Sequence, residues 1–361
     1  MALPTHENDL TIDIFLEPAP VTREGFGKGL IIDNKSESSL NGNRVKEYSS
    51  FSEMETDESN GYLATNILDK GEVWFGQDPT VPEQDSLLVG VRDDTIATPE
   101  TWDTAVDKIA PNADWYWTLI DKRTTSEIDT VSSHIESNYD VLFVSQDADA
   151  EWKNSSPAAG STPALLSGRE RTIAHYHDTD TEHQDVAYAA NRGVFDPDEQ
   201  SAPMHCEIEG VNEIDRTAIS RTEINNIVGN NGNVALPFGS TKTFVKRGDN
   251  MNGRQAYVLI TRDWFRTRLQ TDVAVEIQTA SNFGEKVPVS KEGQARLAKL
   301  VRRRFSQGVA ADHFVPGSTN VDLPEIKDSH INNETIPLKG SARIEIAAQD
   351  VDFTFRFRRT V

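Results

Sequence analysis

The sequence is poor in cysteine, in lysine and in long apolar runs, and each shortage excludes something. Its one cysteine, Cys206, allows no intrachain disulfide and no cysteine-rich metal cluster. A lone cysteine in a reducing compartment reads as a small buried hydrophobe, and no motif around it points to a nucleophile. No apolar run approaches the roughly 20 residues of a membrane span; Tyr257-Val258-Leu259-Ile260 is typical of the longest. The opening Met1-Ala2-Leu3-Pro4-Thr5-His6-Glu7 lacks the basic-then-apolar order of a secretory signal. The chain is therefore expected to stay where it is made until assembly or lysis, without membrane insertion. Positive charge is scarce: 36 Lys and Arg stand against 58 Asp and Glu, a net charge of −22 over 361 residues. Such a surface repels a phosphate backbone, so direct nucleic-acid binding is not expected. Only 14 of the bases are lysine. Many acids with few lysines suit concentrated salt, which screens repulsion between carboxylates. A halophilic source is one reading of this composition, and an ordinary acidic protein is the other.

What is present describes a globular chain, with 37% hydrophobic residues and enough length for one large or two ordinary domains. Residues 1–25 read as an N-terminal arm whose strand carries Ile12, Ile14 and Leu16 on alternate positions before Pro18 and Pro20 stop it. Gly25, Gly27 and Gly29 read as a flexible joint into a buried strand at Leu30-Ile31-Ile32. Short strands are expected around Val45–Tyr48 and Ser86–Val91, with Asp78-Pro79 and Val81-Pro82 in a loop between them. Thr98-Pro99-Glu100 reads as a helix start, with Trp102, Val106 and Ile109 on one face and Pro111 as the stop. A β-α-β run follows, comprising Trp115–Ile120, a helix over 126–137 with Ile128, Val131 and Ile135 inward, and Tyr139–Val144. Such a unit makes a right-handed parallel crossover. A further strand is expected at 171–177, a helix at 183–195, and a helix near Ile219–Val228 stopped by Gly229. Tyr257–Ile260 reads as a buried strand, followed by a helix through Phe265, Leu269, Val273 and Ile277. A second helix is expected from Lys291 to Gln307, with Leu297, Leu300, Val301 and Phe305 inward and Gly308 at its end. The final segment alternates strictly, placing Phe353, Phe355 and Phe357 on one face. The fold class is mixed, α+β with β-α-β units.

Four groups of residues could carry function. His175-x-His177 on a strand puts two imidazoles on one face, and His183 lies close by in sequence, a donor set that suits zinc or iron. The other reading is a strand end running into a polar, acid-rich loop, and no motif supplies further ligands at a convincing spacing. Gly25-Phe26-Gly27-Lys28-Gly29 lacks the spacing and the Lys-Ser/Thr pair of a phosphate loop, and no GxSxG elbow occurs. Arg296, Lys299, Arg302, Arg303 and Arg304 form a basic helix in an acidic chain; they either balance nearby acids or meet an acidic partner. The two terminal strands either pair within their own domain or extend a neighbour's sheet by strand addition. Head-to-tail exchange that does not close builds a helical filament.

Several stretches, in order, resemble the contractile tail sheath proteins of phages and viruses. They are Tyr48-Ser49-Ser50-Phe51, Trp102-Asp103-Thr104-Ala105, Asp114-Trp115-Tyr116-Trp117, Ala174-His175-Tyr176-His177, Gly253-Arg254-Gln255-Ala256-Tyr257-Val258-Leu259-Ile260-Thr261-Arg262-Asp263-Trp264-Phe265, Lys286-Val287-Pro288-Val289-Ser290-Lys291-Glu292-Gly293 and Ser306-Gln307-Gly308-Val309-Ala310. The resemblance is patchy over 26–315. It implies a short member of the family, with a sheath core at 26–335, subdivided near 210/211, between the arm at 1–25 and a C-terminal strand arm at 336–361. It further implies a non-enzymatic structural subunit of a helical homo-oligomer around a tail tube protein, with baseplate and tail terminator proteins as further partners. Assembly in the host cytoplasm, a place in the virion tail, genome ejection by contraction and no cofactor follow from the same likeness. Lys299, Arg302, Arg303 and Arg304 then become candidates for tube contact. The sheath of a cellular contractile injection system, a metal-dependent enzyme using His175, His177 and His183, and a capsid or tube protein are the competing expectations.

Overall fold

A computed structural model describes residues 25–82, 86–179, 181–201, 206–215, 217–238, 242–332 and 336–345. The expected arm strands, with Ile12, Ile14, Leu16, Phe353, Phe355 and Phe357, lie outside the described residues.

The first strand, β1 (Gly29–Asn34), is buried along its whole length. It is followed by β2 (Val45–Tyr48), two helices, α1 (Phe51–Ser59) and α2 (Thr65–Phe75), and β3 (Leu87–Arg92). Next come α3 (Trp102–Ile109), β4 (Trp117–Ile120), α4 (Thr125–Asn138), β5 (Leu142–Asp147), α5 (Thr162–Leu166), β6 (Thr172–Tyr176) and α6 (Gln184–Gly193). The strands β7 (Glu207–Ile208), β8 (Asn233–Phe238) and β9 (Lys242–Lys246) bracket α7 (Arg221–Gly229). All nine strands form one sheet in the order β2-β3-β1-β4-β5-β6-β8-β9-β7. The five central pairings, from β3/β1 through β6/β8, are parallel, and both margins are antiparallel. The fold is thus mixed α/β with a mostly parallel sheet.

Central strands alternate between two apolar layers, which is why they read as continuous hydrophobic runs. Ile31, Val89, Leu119, Leu142 and Val144 face one core together with α2, α6 and the later helices. Leu30, Ile32, Leu88, Ile120 and Phe143 face the other, covered by α3 and α4 through Trp102, Val106, Ile109, Ile128, Val131 and Ile135. The β-α-β run lies where its periodicity placed it, and β4 and β5 are parallel.

Several local expectations need correction. Tyr257–Ile260 is not a strand but the first turn of α8 (Ala256–Asn282). Four consecutive apolar residues fit either period. Here the inward stripe Tyr257, Ile260, Trp264 and the stripe Thr261, Phe265, Leu269, Val273 share one helix. Gly253, at φ +81°, closes the turn that feeds the helix through Gln255. Gly308 does not end the next helix; α9 runs Lys291–Ala310. Its missing side chain admits Phe314, whose Cδ2 would lie 2.4 Å from a Cβ at this position. The α3 helix starts at Trp102, with Thr101 and not Thr98 as N-cap. Residues 25–29 are no loose joint: Phe26 is buried, its carbonyl accepts from Trp117 Nε1 at 2.7 Å, and its ring lies 4.8 Å from that of Tyr116. A Cβ on Gly29 would meet Trp74 Cη2 at 2.3 Å.

After α9 the chain forms a small ladder, β10 (Asn320–Asp322) antiparallel to β11 (Lys339–Ser341). Ile344 bridges to Phe314, and Ala342 and Ile344 point inward while Arg343 and Glu345 point out.

Candidate functional site: a basic helical hairpin fastened to the sheet

The α8–α9 hairpin is the basic part of an acidic chain. Residues 256–310 hold ten Lys and Arg against five Asp and Glu. With 27 residues, α8 extends about 40 Å at 1.5 Å per residue, and its far end exposes Val275 and Phe283.

A buried charge fork fastens the near end. Arg171, just before β6, donates Nη1 to Asp263 Oδ2 at 2.8 Å and Nη2 to Asp263 Oδ1 at 3.0 Å, and also reaches Asp140 at 2.9 Å. The Tyr116 hydroxyl donates to Asp263 Oδ2 at 2.9 Å. Burial works against the charged guanidinium, but Asp263 outweighs it and holds the Arg171 pKa above its ordinary value. Nearer the surface, Arg262 pairs with Glu170, Arg266 with Asp140 and Arg268 with Asp198. Asp198 also accepts from Trp264 Nε1 at 2.8 Å. The Arg-Asp-Trp stretch is therefore the clasp between hairpin and sheet. His313 belongs to the same packing: its Nε2 donates to the Pro197 carbonyl at 2.6 Å, so its Nδ1 accepts from Thr261 at 3.0 Å.

The four basic candidates on α9 divide. Arg304 is half-buried and grips Asp272 of α8 at 2.6 and 2.9 Å, and Arg303 shares that carboxylate at 2.9 Å. Burial pushes Asp272 up, but the two guanidiniums more than offset it and keep its carboxyl below the usual range. Arg296 pairs with Glu276 of α8. Lys299 and Arg302 are exposed and make no ion pair among the described residues. With Arg303 they form the outward ridge, at the i, i+3, i+4 spacing of one helix face.

The histidines do not converge on a metal geometry among the described residues. His177 accepts from the Thr179 N–H at Nδ1 (3.1 Å) and donates Nε2–H to the Asn212 carbonyl (3.0 Å), so both its nitrogens are engaged. His175 is fully buried beneath Tyr188 and accepts from Gln184 at 2.6 Å, and burial lowers its pKa to about 3. His183 sits at the start of α6 against Arg123; burial and that guanidinium lower it to about 3 as well. Each of the three is held by its own protein partners, Gln184 for His175, Thr179 and Asn212 for His177 and Arg123 for His183, as packing elements.

No protein-family model and no curated protein matches the sequence. The solved structures do match: the chain has the fold of contractile-sheath subunits. In particular, it aligns with the sheath complex of an extracellular contractile injection system, PVC, in the contracted state, at a TM-score of 0.64 and 10% identity, covering 99% of this chain and 98% of that one. It aligns with the contracted helical sheath of the anti-feeding prophage (AFP) at 0.61, with 10% identity and 99% of each chain covered. A chain of the AFP baseplate gives 0.62 and 11% identity, over 99% of this chain and all of that one. These three alignments run over nearly the full length of both chains.

Proposed function

We propose that this protein is the structural subunit of a contractile sheath, a helical sleeve of identical chains around a tail tube. The observation that carries the reading is the end-to-end likeness to two helical sheaths and a baseplate chain. A sleeve that shortens needs one subunit with two packings and bistable contacts between copies. A body clasped by the Arg171–Asp263 fork would move as a unit between them. The arms at 1–25 and 336–361 would link copies by adding strands to a neighbour's sheet. Within the C-terminal arm, Ala342–Glu345 pairs with its own chain, Val315 N donating to Arg343 O and Glu345 N to His313 O, so the proposed exchange at this side rests on 351–361. Lys299 and Arg302, with Arg303 beside them, are the proposed tube contacts, where their charge would orient the sleeve on an acidic tube. Baseplate and terminator proteins would cap the two ends. The proposal covers both a virus tail, ejecting a genome, and a cellular injection system. The net charge of −22 suits assembly in concentrated salt.

Deleting residues 351–361 tests the linking role. The truncated chain is expected to keep its circular dichroism and melting profile yet to stay in the supernatant when the intact chain sediments as sleeves. Normal sleeves from the truncated chain would exclude strand exchange through this arm.

A further inference from the structure

Three carboxylates outside the hairpin meet at a place where open parallel sheets receive ligands. β1 has β3 on one side and β4 on the other, so the chain reverses its direction of travel across the sheet there. The crevice beyond the carboxyl ends of strands at such a reversal is the habitual ligand position of the architecture. Asp33 stands next to last in β1, Asp121 directly follows β4, and Glu37 lies in the loop after β1. One oxygen from each lies within 4.8 Å of the other two.

Asp33 is the telling member. It is 0% exposed, and neither of its oxygens receives a hydrogen bond. The Ser38 hydroxyl and the Asn34 backbone favour its charged form, but neither completes a bond of proper geometry. A buried carboxylate without donors is unstable alone and calls for a counter-charge or a proton. Burial first, and then the nearby charges of Asp121 and Glu37, push its pKa up to about 6. Two ammonium groups already engage one oxygen each of Asp121 and Glu37. Lys70 and Asn66 both donate to Asp121 Oδ1, and Lys122 and Asn34 approach Glu37 Oε1 at 3.2 and 3.4 Å. Arg123 is drawn away to Asp185 at 2.8 Å. Asp121 Oδ2, Glu37 Oε2 and both Asp33 oxygens remain for a ligand.

We propose that Asp33, Glu37 and Asp121 form a site for a hard divalent cation of the Mg²⁺ type. All-oxygen donors suit such an ion, and a small number of carboxylates completed by water is its usual arrangement. Glu37 is exposed and forms the mouth, so the ion keeps waters on that side. A bound cation would tie the loop after β1 to the end of β4 and, through Asn66 and Lys70, to α2. The site does not depend on the sheath reading.

The experiment is calorimetric titration of Mg²⁺, and separately Ca²⁺, into EDTA-treated full-length protein, alongside thermal melts. The intact chain is expected to show one saturable Mg²⁺ site and a melting point raised by on the order of a few degrees at large excess. Asp33→Asn should weaken binding by more than about tenfold, the loss that even an outer-shell partner can bring, and should melt no lower than the intact chain without metal. Glu37→Gln, at the exposed mouth, keeps the test open if Asp33→Asn does not fold; it should weaken the same binding. Tighter binding of Ca²⁺ than Mg²⁺ would overturn the Mg²⁺ assignment. Heats that never saturate, or that neither variant changes, would reduce the effect to diffuse screening of an acidic surface and overturn the site.

Discussion

Replacing Asp263 by alanine removes the carboxylate at the centre of the clasp between α8 and the sheet. Two short hydrogen bonds to Arg171 vanish, and the Tyr116 hydroxyl loses its acceptor. Arg171 keeps Asp140, which is half-exposed and engages only Nη2. A buried charge left without its partner costs about 3–5 kcal/mol, and the remaining Asp140 contact places the loss toward the lower end of that range. Unfolding entropy runs at about 2.1 cal/mol/K per residue, so a loss of about 3 kcal/mol lowers the melting point of this 361-residue chain by about 4 °C. Urea denaturation gives the free energy and calorimetry the midpoint. Tyr116→Phe alone should cost about 1.5–3 kcal/mol, the worth of one hydrogen bond to a charged group. In the double variant the two losses should not add, because both act through one carboxylate. A cost below about 1 kcal/mol for Asp263→Ala, or strict additivity with Tyr116→Phe, would refute the clasp.

The remaining predictions concern packing, pH and partner contact. Gly29→Ala sets a methyl against the buried Trp74 ring and is expected to cost about 1–3 kcal/mol by overpacking, read by urea denaturation; an unchanged midpoint would show that the ring can retreat. His175 has a folded pKa of about 3, below its unfolded value, so as pH falls below about 6.5 the unfolded chain takes up a proton that the folded chain refuses. The intact protein therefore loses about 1.4 kcal/mol per pH unit through this group, while His175→Gln does not. Their stability difference should shrink by about 2 kcal/mol between pH 6.5 and pH 5, and a constant difference would mean His175 titrates normally in the fold. Reversing Lys299 and Arg302 to Glu should weaken co-sedimentation with tubes by on the order of tenfold and leave self-assembly intact; equal loss of both would remove the tube assignment.

The parallel centre of the sheet was legible because its strands are short, apolar and separated by amphipathic helices with clear stripes, as at Ile128, Val131 and Ile135. The Tyr257–Ile260 strand was misread because four apolar residues carry no period of their own. Only their phase with Trp264 and Thr261 shows the helix. The helices α1 and α2 went unread inside a polar stretch, although Ser50 and Glu53 have capping-box spacing and Ile67, Lys70, Val73 and Trp74 share a face. Lys70 hides that face from a hydrophobicity count, since its ammonium is buried only by virtue of Asp121, which lies 51 positions away. Distance in sequence also concealed the functional pairs. Arg171 and Asp263 are 92 residues apart, and Asp33 meets Asp121 only through the strand order. The basic ridge was visible as composition, but its division into Arg304, engaged with Asp272, and the exposed Lys299 and Arg302 depends on how α8 lies against α9.

Negative-stain electron microscopy of the purified chain, in molar salt and in dilute buffer, tests the central claim most directly. Long hollow sleeves or stacked rings are the expected result in at least one buffer. Discrete monomers or small closed oligomers in both would contradict a sheath subunit.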